Sequence, residues 1–270
     1  MGKKDSDPFE ALLKSSEEKS VYSAPVGLVE VSGRYHLGPP KRPNIKHDNG
    51  HLDKFTHEEA TLADKAQLLK WKAMLEASEA LCTAQSGKYL DKCNGEDLTD
   101  ANAAYRHFLD GNGSDRTIDY ERYIKGDPAG RELIPKLAAD FQVHASIIGK
   151  DRIKFSITSD AYSVGHNGIA PYPGTANWQK TLGAHFLWVS ADVVVSVNQK
   201  GQITFDADLT IYMEDRYNFN PGATDVATGI PDSANGRFEI TKLAKQYTNY
   251  AKLKRKLQWD ESTRSPKTLR

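Results

Sequence analysis

The chain has 270 residues, 27% of them charged and 39% hydrophobic, which suits a globular protein of one large domain or two small ones. Lys plus Arg and Asp plus Glu number 36 each, so the net charge is zero and no global field marks a nucleic-acid binder. No uncharged apolar run reaches the roughly 18 residues of a spanning helix; the best stretch, residues 181–197, carries His185 and Asp192.

Residues 1–55 read as a flexible leader or arm. Pro25, Pro39, Pro40 and Pro43 interrupt regular structure and Gly27, Gly33, Gly38 and Gly50 loosen it, leaving one short strand predicted at residues 26–31. The opening MGKKDSDPFEALLKSS lacks the apolar core of a signal peptide, so export is expected to use a dedicated route. Gly2 and Ser6 fit the permissive myristoylation pattern. In "HDNGHLDKFTH", His47, His51, Asp53 and His57 have transition-metal ligand chemistry; the competing reading is a set of exposed side chains on a mobile segment.

Residues 56–150 read as helical. Thr56 and Glu59 form a capping box, and Leu68, Trp71, Leu75 and Cys82 recur on one helical face. Cys82 and Cys93 flank "TAQSGKYLDK" as a disulfide or two thiols, with no histidine between them to make a zinc site. A second helix near Thr99 carries Ala103, Ala104, Phe108 and Leu109 and stops at "DGNGSD". Asp110, Asn112, Ser114 and Glu121 follow the spacing of a calcium loop, but Asp115 stands where that loop requires glycine, so an interhelical turn is expected. A third piece holds Tyr120, Tyr123 and Ile124. A fourth helix aligns Leu133, Leu137, Phe141 and Ile148, with Pro135 placed in its first turn.

Residues 151–260 change to a period of two and read as an antiparallel β domain packed with the helices as one unit. Ile153, Phe155 and Ile157 alternate with polar residues, and a Gly/Pro-rich loop containing His166 follows. Residues 186–197 are apolar on both faces, hence central, and "NQKG" turns the chain into a second long strand. There Ile203, Phe205, Ala207, Leu209, Ile211 and Met213 line one face, and Thr204, Asp206, Asp208, Thr210, Tyr212 and Glu214 the other. A last strand carries Leu253, Leu257 and Trp259. Lys252, Lys254, Arg255, Lys256, Arg264, Lys267 and Arg270 read as a solvated basic face. The fold class is α+β, with an N-terminal helical region and then a curved antiparallel sheet or half-barrel.

The candidate site lies in "YMEDRYNFNP". By parity Asp215 and Tyr217 continue the apolar face, and a carboxylate there must be paired, hydrogen-bonded or metal-bound. The loop beyond adds Asn218, Asn220, Asp225, Asp232, Asn235 and Arg237, a set able to hold Mg²⁺ through carboxylates and phosphate through arginine. The alternative is a plain loop whose Asx residues cap turns. His166 is a candidate base or substrate contact.

"AYRHFLDGNGSDRTIDY" and "LGAHFLWVSADVVVSVNQKGQITFDADLTIYMEDRYNFN" together resemble the colicin M-type, lipid II-degrading bacteriocins and their toxin-domain relatives, over about residues 100–240. The resemblance implies a helical region followed by an open half-barrel. It also implies magnesium-dependent cleavage of the lipid-linked peptidoglycan precursor between lipid and pyrophosphate. The family's Asp-x-Tyr-Asp segment is matched at Asp215 and Tyr217, while Asn218 replaces the second aspartate and no His-Arg pair follows. On this basis Asp215 and Asp225 are expected magnesium ligands, with Asp215 alternatively a base. Tyr217 orients substrate, Arg237 holds pyrophosphate, and Asn218, Asn220 and His166 contact substrate. The expected biology is an antagonistic toxin acting in the target periplasm or at its membrane, with secretion machinery and an immunity protein as partners. A membrane-disrupting toxin and a non-catalytic binding or cargo module are the alternatives.

Overall fold

The computed structural model describes residues 29–84, 97–165, 167–225, 230–262 and 267–269. The described chain opens with β1 (Val29–Ser32) and β2 (Tyr35–Leu37), joined at Gly33, whose φ of 54° disfavours a side chain. A 3₁₀ turn at Gly50–Asp53 precedes α1 (Leu62–Ala84) and α2 (Thr99–Asp110). Then come β3 (Arg116–Thr117), α3 (Tyr120–Gly126), α4 (Pro128–Gly149), β4 (Lys154–Ser159) and β5 (Tyr162–Val164). The chain continues through α5 (Ala176–Thr181), β6 (His185–Val197), β7 (Ile203–Tyr217), α6 (Ser233–Ile240), β8 (Tyr247–Asp260) and β9 (Lys267–Leu269).

The strands form one open sheet in the order β1-β2-β4-β6-β7-β8-β3, with β5 also on β6 and β9 also on β8. Every pairing is antiparallel except β3 with β8. The fold is α+β, as the change of period predicts. Alternation decides which face is covered. Phe205, Ala207, Leu209, Ile211 and Met213 of β7 are buried, and they join Leu187, Val189 and Val193 of β6 and Leu133, Leu137, Phe141 and Ile148 of α4. Burying each large aliphatic side chain contributes roughly 1.5–3 kcal/mol, so this helix–sheet contact carries the architecture. Asp127 caps α4 from a fully buried position, where its carboxylate accepts from Ala129 N, Gly174 N, Thr175 N and Thr175 Oγ1 at 2.8–3.0 Å.

A second apolar cluster sits at the far end of β7 and β8, where Leu75, Phe108, Phe238 and Tyr247 pack with Trp71, Tyr217 and Phe219. On the outer face, Trp188 and Tyr212 stack at 3.8 Å and pack with Phe186 and Ile45.

Several expectations shift. Residues 29–55, read as a leader, supply two strands of the sheet and the buried Tyr35 and Ile45; residues 1–28 lie outside the described part. The first helix starts at Leu62, not at Thr56. Its capping box is Thr61 with Asp64, where Asp64 N donates to Thr61 Oγ1 at 3.1 Å and Thr61 N to Asp64 Oδ2 at 2.9 Å. Glu58 N is meanwhile drawn to Ile240 O at 3.1 Å, outside the helix. Pro135 lies inside α4 because that helix begins seven residues earlier, at Pro128. Ile153 is 84% exposed, since β4 starts after it. Cys93 lies outside the described residues. Among the described residues, no helix is long and apolar enough to cross a membrane.

Candidate functional site

The inner face of β7 runs from Met213 to Asp215, and parity carries the carboxylate inward, where it is 3% exposed. Its register partner on β8 is Asn249, which donates Nδ2 to Asp215 Oδ2 at 3.2 Å and to Thr181 O at 3.4 Å. Burial above all, with the nearby Asp48 carboxylate adding to it, pushes Asp215 well above the usual carboxylate range; Asn249 and Arg216 pull the other way. Asp215 therefore favours its protonated form.

Asp215 borders a cavity of about 420 Å³. Its walls include residues 47–48, the aromatic side chains Trp71 of α1 and Tyr105 of α2, Tyr172, residues 179–184 around the end of α5, and residues 215–220 and 223–225 at and beyond the exit of β7. That loop is cross-tied. Asn220 N donates to Asp232 Oδ2 at 3.0 Å, Asp225 N to Ile230 O at 2.8 Å, and Asp225 pairs with Lys180. Burial, with Asp225 adding to it against the pull of Asn220 N and Lys180, raises Asp232 to about 6. Tyr172 is raised by burial and then by Asp215, Asp225 and Asp232, so all three carboxylates act on one phenol.

Asp215, Tyr217, Asn218, Asn220 and Asp225 thus share one cavity. Tyr217 stacks on Tyr247 at 4.9 Å and touches Phe108 and Phe219, and burial keeps its phenol protonated. Arg237 is not brought to the cavity. α6 turns it to Asp64, with Nε and Nη2 each 3.0 Å from a carboxylate oxygen, and to Glu58. His166 lies outside the described residues.

The other metal candidates disperse. His47 binds Glu214, His51 Nδ1 is 2.8 Å from Phe219 O, His57 Nδ1 is 3.1 Å from Ile240 O, and Asp53 accepts from Asn49 N at 2.7 Å. In the interhelical turn, Asp110 pairs with Lys72, Asn112 Oδ1 accepts Ser114 N at 2.8 Å, and Glu121 pairs with Arg255.

Residue types and spacing gave no hint of the group around Glu214, which is 2% exposed although it belongs to the outer face. Arg42 Nε donates to its Oε2 at 2.7 Å and Nη2 to its Oε1 at 2.5 Å, and His47 Nε2 lies 3.0 Å from Oε1. Burial pushes Glu214 up, but His47 and Arg42 together outweigh it and hold the carboxyl below its ordinary value. Nor did spacing mark Asp48, Lys180 or Tyr172 as cavity residues.

Chemically, the cavity offers hard oxygen donors (Asp48, Asp215, Asp225 and Asp232), the cations Lys180 and Arg216, and an imidazole, His47. Among the described residues, no three His, Cys, Asp or Glu side chains are grouped to hold a metal ion by themselves. The donor set fits magnesium in its common mode, bound by one or two carboxylates and completed by substrate phosphate, and does not form an all-protein cage.

No protein-family model matches the chain, and no curated protein matches it. Among solved structures it matches PaeM, a colicin M-like bacteriocin produced by Pseudomonas aeruginosa, at 16% identity and a TM-score of 0.36. The match covers 60% of this chain and 52% of PaeM, so the chain spans about half of that bacteriocin.

Proposed function

We propose that the chain is a bacterial antagonistic toxin acting at the envelope of its target cell, and that its cavity hydrolyses a lipid-linked peptidoglycan precursor between lipid and pyrophosphate. The observation that carries this reading is Asp215. It is a buried carboxyl at the exit of β7, facing a cavity of about 420 Å³, room enough for a pyrophosphate group. It is also the first residue of the Asp-x-Tyr pair on which the sequence resemblance rests.

In this reading Asp215, with Asp225, would hold Mg²⁺, which when bound would neutralise charge on the phosphates. Tyr217 and the amides of Asn218 and Asn220 orient the headgroup. Lys180 and Arg216 face the phosphates, the task first assigned to Arg237, which Asp64 and Glu58 occupy. The protein would reach the target periplasm or membrane through a secretion route, and a cognate immunity protein would guard the producer.

Incubation of the purified protein with lipid II and Mg²⁺ tests the reading. Release of the headgroup, abolished by Asp215→Ala, supports it; no release from the wild type sinks it. Cleavage that survives Asp215→Ala would move the chemistry elsewhere.

A second reading, direct membrane disruption, draws on the exposed Ile153, Val194 and Val197 at the ends of β4 and β6. Dye leakage from liposomes lacking lipid II would favour it.

A further inference from the structure

We infer that residues 42–51 are part of the site and that His47, oriented by Glu214, is the group that moves the proton in the cavity. The chemical role rests on the hydrolase reading above, whereas the placement rests on geometry alone.

The segment is fastened to the exit of β7 at three successive points. His47 Nε2 meets Glu214 Oε1 at 3.0 Å, Asp48 Oδ1 accepts Asn218 Nδ2 at 2.7 Å, and His51 N and Nδ1 both meet Phe219 O, at 3.0 and 2.8 Å. The first two points fall on the consecutive residues His47 and Asp48, and both line the cavity. An arm merely draped over the surface has no reason to place consecutive side chains in the same cavity as Asp215.

The tautomer of His47 follows from its partner. Glu214 is gripped by two donors of Arg42, whose Nη1 and Nη2 also bond Pro43 O at 3.1 Å and Ile45 O at 3.0 Å. A carboxylate so paired only accepts. Nε2 of His47 is therefore the N–H, and Nδ1 keeps its lone pair, with no partner among the described residues. Phe186, edge-on to the imidazole at 5.7 Å, limits its rotation. This is the arrangement of a positioned base: a carboxylate fixes one ring nitrogen and leaves the other for chemistry. In the hydrolysis, a water oxygen bonds to phosphorus as its proton passes to His47 Nδ1. The P–O bond to the lipid breaks, and the departing lipid oxygen takes the proton to leave as an alcohol.

The test compares wild type, His47→Ala and His47→Gln on lipid II with Mg²⁺, with thermal melts to confirm folding. Gln keeps a donor for Glu214 but has no base. Both variants are expected to lose about 10²–10⁴-fold in headgroup release, and added imidazole to restore part of it in His47→Ala only. Activity within tenfold of wild type in either folded variant, or no rescue by imidazole, overturns the role. Should the wild type release no headgroup, the hydrolase reading fails and the placement is read separately. Inorganic pyrophosphate with Mg²⁺ should then shift the ¹⁵N ring resonances of His47 in the wild type and not in Asp215→Asn. Absence of that shift in the wild type, or its persistence in the variant, overturns the shared site.

Discussion

Asn218 Nδ2 donates to the Asp48 carboxylate at 2.7 Å and to the Asp48 carbonyl at 2.9 Å, across 170 positions of chain. The position at which the resemblance expects a second aspartate thus carries an amide, and an aspartate from a remote segment stands against it. Asn218→Asp would set two carboxylates face to face and remove the donor. We expect it to destabilise the fold by roughly 1–3 kcal/mol, read by thermal or urea unfolding. Asp48→Asn in the same chain should recover most of the loss; an unchanged midpoint in Asn218→Asp contradicts the contact.

Gly236 of α6 lies against the ring of His51. A β-carbon there would come within 2.1 Å of His51 Nδ1, a ring that is buried and tied to Phe219 O. Gly236→Ala is expected to cost roughly 1–3 kcal/mol through overpacking. It should also speed proteolysis within residues 42–55. Stability equal to wild type would show that the ring moves aside freely.

Burial, against the pull of Gln246, Phe219 N and Arg216, raises Glu239 from 4.5 to about 8. Between those values the unfolded chain has lost this proton while the folded chain keeps it, so stability falls as pH rises from about 4.5 to about 8 and then levels. Asp232, raised to about 6, adds a loss of the same sign below that pH. Glu239→Gln keeps an oxygen for Phe219 N, so it should flatten the upper part of this slope and raise the melting temperature at pH 8. Parallel melting curves for the two proteins from pH 5 to 9 would refute the assignment.

Burial likewise favours the proton on Asp215. A divalent cation bound there must displace it. Titration of Mg²⁺ in the presence of inorganic pyrophosphate, in two buffers of different ionisation heat, should show proton release and an affinity that rises with pH. Asp215→Asn should abolish both. Binding without proton release would place the metal on other groups.

The long strands were legible because alternation is a local signal: the same count that buries Ile211 and Met213 buries Asp215. The helical stripe of Leu133, Leu137, Phe141 and Ile148 was legible for the same reason. What spacing could not give was set by tertiary contact. Thr56 and Thr61 each precede an acidic residue by three positions, and the helix begins after Thr61, with Glu58 N bonded to Ile240 O and Asp64 N to Thr61 Oγ1. Arg237 looked like a phosphate clamp from its nearness in sequence, but a turn of α6 delivers it to Asp64. Glu214, Arg42 and His47 meet across 172 and 167 positions, and no periodicity relates residues so far apart. The proline-interrupted stretch of residues 1–55 read as an arm because such stretches have no pattern of their own. Within it, residues 29–37 take their order from the sheet they join.

Asp215 is proposed as the working group of an envelope toxin. Expression of the protein in a bacterial periplasm, beside Asp215→Ala matched for abundance and folding, tests it most directly. The wild type is expected to lyse or arrest the cells, with loss of lipid II, and the variant to be harmless. Growth unaffected by the wild type, or equal killing by both proteins, would contradict it.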